Sequence, residues 1–102
     1  LSVNPNKRWN IFIRDPRKWI NYIINMSQAL LFAKGVAARK KQIPTLIKKY
    51  YPHFSAIPII KKALYLRQTR KILHLSFREQ QVLQDQLTAF LEQYKNTVER
   101  YF

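Results

Sequence analysis

The chain has no cysteine, one glycine and only five acidic residues in a length of 102. Each scarcity excludes something. Without cysteine there is no disulfide framework and no thiolate metal site. Gly35 stands alone, so no glycine-rich phosphate loop can form, and a hairpin-rich β fold would lack the positive-φ residues its tight turns need. The two histidines, His53 and His74, lie too far apart in the chain to make a zinc site with each other alone. Asp15 sits alone among cations. Glu79, Asp85, Glu92 and Glu99 follow at steps of 6, 7 and 7, which on a helix makes the last three an ordinary solvated flank, not a catalytic pair. No enzyme, metal, cofactor or small-molecule substrate is expected. Long apolar runs are missing too. Trp19 to Ala33 covers 15 residues and includes Asn21, Asn25, Ser27 and Gln28, whereas a membrane span needs about 20 mostly apolar residues.

Lysine and arginine are abundant: 19 of them give a net charge of +14. Apolar residues make up 47% and aromatics 14%, which rules out a fully disordered basic tail. The size fits one small domain over 1–102. The charge is uneven. Residues 1–76 hold 16 of the 19 cations and one acid, Asp15, for a net +15; residues 77–102 hold three cations and four acids, for a net −1. A region so positive repels itself and needs a polyanion to stay compact. Nucleic acid is the commonest such partner, and an anionic membrane surface is the main rival.

The pattern predicts an all-α fold with an extended basic arm, two long helices (about 16–41 and 77–102) and shorter helices between them. Residues 1–14 read as the arm, with a turn at Asn4-Pro5-Asn6. Ser2 to Arg8 is polar and basic with no apolar run after it, so no signal peptide is expected in this sequence, while a removed organelle presequence is compatible with its start at Leu1. Asp15-Pro16 opens the first long helix, with Asp15 as cap. Trp19, Ile23, Met26, Leu30, Ala33 and Ala37 share a face, which Ile20, Ile24 and Leu31 widen, so this helix is expected to be buried on most sides. Arg39, Lys40 and Lys41 would end it, favourably placed against the helix dipole. A short helix starts near Pro44 and stops at Tyr50-Tyr51-Pro52. A third, capped by Ser55, runs to about His74, its cations interleaved with its apolar residues instead of lying on a separate face. Ser76 and Glu79 form a capping box, with Leu75 as part of a staple, and open a long amphipathic helix over Phe77–Phe102. Its stripe of Leu83, Leu87, Phe90, Leu91, Tyr94, Val98 and Tyr101 is expected to pack on a partner helix, in this chain or another.

The binding signal is the basic clusters. Lys7/Arg8, Arg14/Arg17/Lys18, Arg39/Lys40/Lys41, Lys48/Lys49, Lys61/Lys62 and Arg67/Arg70/Lys71 recur along the first three quarters of the chain, with Trp9, Trp19, Tyr50, Tyr51, Phe54 and Tyr65 between them. Cations neutralise phosphates and release counterions, and exposed aromatics stack on unpaired bases. No helix-turn-helix, zinc finger or RNA-binding sheet motif is visible, so backbone and shape contact is expected in place of sequence readout.

Short basic chains with aromatic anchors, an arm and long helices resemble ribosomal proteins, especially the lineage-specific ones of mitochondrial ribosomes. Tyr50-Tyr51-Pro52, followed by Ile57, Lys62 and Leu64, is similar to a Tyr-Tyr-Pro segment and helix in one mitochondrial small-subunit family. The likeness spans about 15 residues and departs at Leu64-Tyr65-Leu66-Arg67, which lacks that family's glycine turn. The same four residues resemble the Leu-Tyr-Arg motif of mitochondrial assembly factors, interrupted by Leu66. The resemblance implies a structural ribosomal protein of the mitochondrial matrix, whose partners are ribosomal RNA and, through the last helix, a neighbouring ribosomal protein. Two other classes fit parts of the pattern: an accessory helical subunit of an inner-membrane respiratory or ATP-synthase complex, and a chromatin or DNA-packaging protein.

Overall fold

The structure is a computed structural model that describes residues 15–102; the expected arm, with Lys7, Arg8, Trp9 and Arg14, lies outside the described residues. The fold is all-α. Among the described residues four α-helices follow one another: α1 (Pro16–Phe32), α2 (Ile43–Tyr50), α3 (Ile57–Thr69) and α4 (Phe77–Tyr101), with short 3-10 turns at Lys40–Gln42 and Lys71–His74. No strand occurs among the described residues.

Helix α1 is the centre and packs against all three others. Trp19, Ile20, Ile23, Ile24, Leu30 and Leu31 are buried, as the wide apolar arc requires. Each such side chain contributes about 1.5–3 kcal/mol relative to exposure. Two polar ties cross this core. The Trp19 indole N–H donates to the Leu83 carbonyl of α4 at 2.8 Å, and the buried Tyr51 hydroxyl donates to the Leu30 carbonyl near the end of α1. Burial, reinforced by the nearby Tyr101 and Tyr94, pushes the Tyr51 phenol above its ordinary pKa, so it remains a donor.

Helix α1 ends at Phe32, nine residues before the expected Lys41. The stop is Gly35, at φ +74. Its N–H donates to Phe32 O at 2.8 Å and that of Val36 to Leu31 O at 3.0 Å, the two bonds of a Schellman closure. With Ala33 N–H on Ala29 O and Tyr51 on Leu30 O, all four terminal carbonyls of the helix have donors. Ala33 and Ala37, expected on the buried face, are exposed.

Helix α3 also departs from expectation. Its cap residue is Ala56, without a side-chain capping bond, and Ser55 is exposed and outside the helix. The helix ends at Thr69 instead of His74 because Arg70 adopts the left-handed conformation (φ 57, ψ 14) and only a 3-10 turn follows. Helix α4 begins as predicted and ends one residue early. Ser76 Oγ accepts the Glu79 amide and Glu79 accepts the Ser76 amide, both at 3.2 Å. The staple is replaced by a polar contact, since the fourth helical residue is Gln80, whose side chain donates to the Leu75 carbonyl at 3.3 Å.

The α4 stripe is occupied inside this chain. Leu83, Leu87 and Phe90 are fully buried, and Leu91, Tyr94, Val98 and Tyr101 pack against the same core. Edge-to-face pairs, Tyr51–Tyr101 at 5.1 Å and Phe54–Phe90 at 5.6 Å, seal it. The stripe thus packs on helices of the same fold through Leu83, Leu87 and Phe90, while Leu91, Tyr94, Val98 and Tyr101 stay partly exposed.

Two outcomes follow. A Cβ on Gly35 would meet nothing within 4 Å, so Gly35→Ala should cost only backbone strain, about 1–2 kcal/mol, read as a lower urea midpoint at unchanged slope. The Ser76 amide and hydroxyl, and then the Lys62 charge, hold the Glu79 carboxyl below its ordinary pKa. Its contribution is complete above the unfolded carboxyl value of about 4.3 and is lost as pH falls through the lower folded value. The stability gap between the wild type and Glu79→Ala should therefore be constant at neutral pH and narrow below about pH 4.

Candidate nucleic-acid interface

The cations of the described residues lie on the surface, and almost none meets a carboxylate. Among the described residues the one ion pair is Arg17–Asp15, at 3.2 Å, beside the α1 cap.

The largest concentration is a cleft of about 770 Å³ between the start of α2 and the outer face of α3. It is lined by Lys40, Lys41, Lys61 and Arg67, with Pro44, Thr45, Leu64, Tyr65 and Gln68, and no acid. Two features of the fold assemble it. The stop at Gly35 moves Lys40 and Lys41 from the end of one helix to the front of another, where the helix dipole opposes cations instead of favouring them. Their expected local reason is thereby removed. The 3-10 turn at Lys40–Gln42, closed by the Arg39 amide donating to Gln42 Oε1 at 3.2 Å, sets both lysines at the cleft rim. On α3, Lys61, Leu64, Tyr65 and Gln68 fall at helical spacing and form one face.

Arg67 also lines a second cleft of about 340 Å³ with Arg17, Arg70 and Asn21, over Ile20, Ile72 and Leu73. Again no acid lines it. The two clefts share Arg67, so the basic surface is continuous from Lys40 to Arg17. Arg70 holds its place there in a left-handed conformation that costs a residue with a Cβ about 1–2 kcal/mol. The same conformation closes the C-terminus of α3.

Tyr65 is half exposed, at 50%, and is the one aromatic residue lining the larger cleft. Lys71 Nζ lies 2.9 Å from its hydroxyl and 5.3 Å from its ring centre. That bond raises the lysine pKa above its ordinary value. The other expected aromatic anchors sit elsewhere. Trp19, Tyr51 and Phe54 are core residues, and Tyr50 is half-buried beneath Lys49 Nζ, 5.4 Å from its ring centre. Lys48 and Lys49 close the last turn of α2, where the dipole gives them a structural role. Lys18 is exposed on α1 and lines neither cleft. Lys62 lies near Glu79. His74 ends the second 3-10 turn.

Sequence patterning missed Lys34. Its ammonium lies 5.0 Å from the Tyr101 ring centre, 5.6 Å from Tyr51 and 5.9 Å from Phe102, a cation–π contact that joins the end of α1 to the end of α4. It also missed Thr45 and Gln68 as polar members of the cleft. The i, i+3, i+4, i+7 spacing of Lys61, Leu64, Tyr65 and Gln68 is the signal that would have grouped them, and it was hidden by the interleaving of cations and apolar residues along this helix.

No group of three or more metal-ligating side chains lies together among the described residues. No helix among them is long and apolar enough to cross a membrane. No protein-family model matches the sequence, and no curated protein or solved structure matches it.

Arg70→Gly relieves the left-handed strain and removes one cation. Its urea midpoint should rise, by up to about 1 kcal/mol in stability, while affinity for a polyanion falls.

Proposed function

We propose that this chain is a structural RNA-binding protein of a ribosome, mitochondrial in kind, and that the surface from Lys40 to Arg17 is where it meets RNA. The observation that carries this reading is the acid-free cleft of Lys40, Lys41, Lys61 and Arg67 around an exposed tyrosine. Such a cleft is repulsive when empty and becomes favourable when phosphates enter it. The Tyr50-Tyr51-Pro52 resemblance supports the organellar ribosome as the particle. The chain would act by neutralising and holding RNA backbone, with no chemical step.

The respiratory-complex alternative draws on the apolar arc of α1 and the stripe of α4, and the largest residues of both, Trp19, Ile23, Leu87 and Phe90 among them, are buried within the fold.

The test needs the whole chain, because cutting before α4 would uncover α1 at Trp19. Binding to a structured RNA should weaken steeply with salt. Four or five phosphate contacts to unpaired strands give a slope of log K against log salt of about −3. Replacing Arg67 by Gln should make that slope shallower by about 0.7. A flat salt response would contradict the proposal, as would equal or tighter binding to anionic lipid vesicles.

A further inference from the structure

We infer that the larger cleft receives an unpaired base of looped or single-stranded RNA, stacked on Tyr65, and not the face of a continuous duplex. The inference rests on the RNA-binding reading above and adds the state of the strand that is bound.

The geometry points this way on three counts. The cleft of about 770 Å³ is open to solvent and has room along its floor for a base laid against Tyr65, whereas a duplex is held at its backbone. Its polar lining is divided in the way a nucleotide is divided. Lys40, Lys41, Lys61 and Arg67 supply charge for phosphates, and Thr45 and Gln68 supply neutral hydrogen-bonding groups for a base edge. Between them Tyr65, with Leu64 and Pro44 beside it, supplies the apolar surface that a base prefers to water.

Tyr65 takes no part in closing the core. The core is closed by Tyr51, Phe54, Phe90 and Tyr101 without it. Its hydroxyl is held by Lys71, which orients the ring and places a further cation at the cleft edge. In an A-form duplex the bases are stacked on each other and cannot reach such a ring; in loops, bulges and single strands they can be splayed onto it. Base–aromatic stacking tolerates any base, which agrees with the absence of a sequence-reading motif.

The experiment uses the full chain and two labelled RNAs of equal charge, a hairpin with a mixed-sequence loop and a blunt perfect duplex. Binding is followed by fluorescence anisotropy for the wild type, Tyr65→Ala and Tyr65→Phe, with circular dichroism confirming the helices in each. The wild type should prefer the hairpin. Tyr65→Ala should lose about tenfold on the hairpin and change little on the duplex, and Tyr65→Phe should retain the wild-type preference, since the ring and not the hydroxyl carries the contact. Equal affinity of the wild type for both RNAs, or Tyr65→Ala binding the hairpin as well as the wild type, would overturn the inference while leaving a salt-dependent RNA-binding protein. Tyr65→Phe as weak as Tyr65→Ala would also overturn it, by assigning the effect to the Lys71 bond. Loss of salt-dependent binding by the wild type to either RNA would remove the RNA-binding reading itself.

Discussion

Everything in this fold depends on covering α1. A helix with Trp19, Ile20, Ile23, Ile24, Leu30 and Leu31 inside has apolar surface on most of its circumference, and water must be kept from nearly all of it. Three helices do this, and they leave their polar faces outward. The Trp19–Leu83 bond fixes α4 at one end of α1, and the Tyr51–Leu30 bond fixes the start of the α2–α3 loop at the other. Once α2 and α3 lie against α1, the lysines before α2 and Lys61 on the outer face of α3 line one cleft that holds no acid. The basic cleft is thus a consequence of how the core closes.

The charge then works against the free protein. Lys40, Lys41, Lys61 and Arg67 stand around one space with no carboxylate to offset them. Screening by salt, or a bound polyanion, relieves that repulsion. A fold that sets its core in order at the cost of a repulsive cleft is suited to a partner that brings phosphate. Arg70 adds one more cation to this surface, at the left-handed turn that closes α3.

What was legible in the sequence was whatever is encoded locally. Asp15-Pro16 opened α1, the Ser76–Glu79 box opened α4, and the steps of three and four gave the α4 stripe. Those signals lie within one turn of the residues they control. The end of α1 was misread because Ala33 and Ala37 continue the apolar spacing and alanine is at ease in a helix; only the φ of Gly35 breaks it. The break at Arg70 had no signal, since arginine does not favour a left-handed conformation. The cleft itself joins residues some twenty positions apart and exists only after α2 and α3 have packed. Sequence could name Lys40, Lys41, Lys61 and Arg67 as cations, and could not place them around Tyr65. It was also silent on whether the α4 stripe met its own chain or another, because periodicity records a buried face and not what buries it.

The central claim is that the positive surface of α3 and the α2 entrance touches RNA in the native particle. Ultraviolet cross-linking in the intact organelle or cell, followed by mass spectrometry of the peptides from this chain, tests it directly. The account predicts nucleotide adducts on the segment 61–71, centred on Tyr65, which disappear when the particle is digested with ribonuclease before irradiation. Adducts confined to other segments, or a chain that stays in its particle after ribonuclease treatment and carries no nucleotide at all, would contradict it.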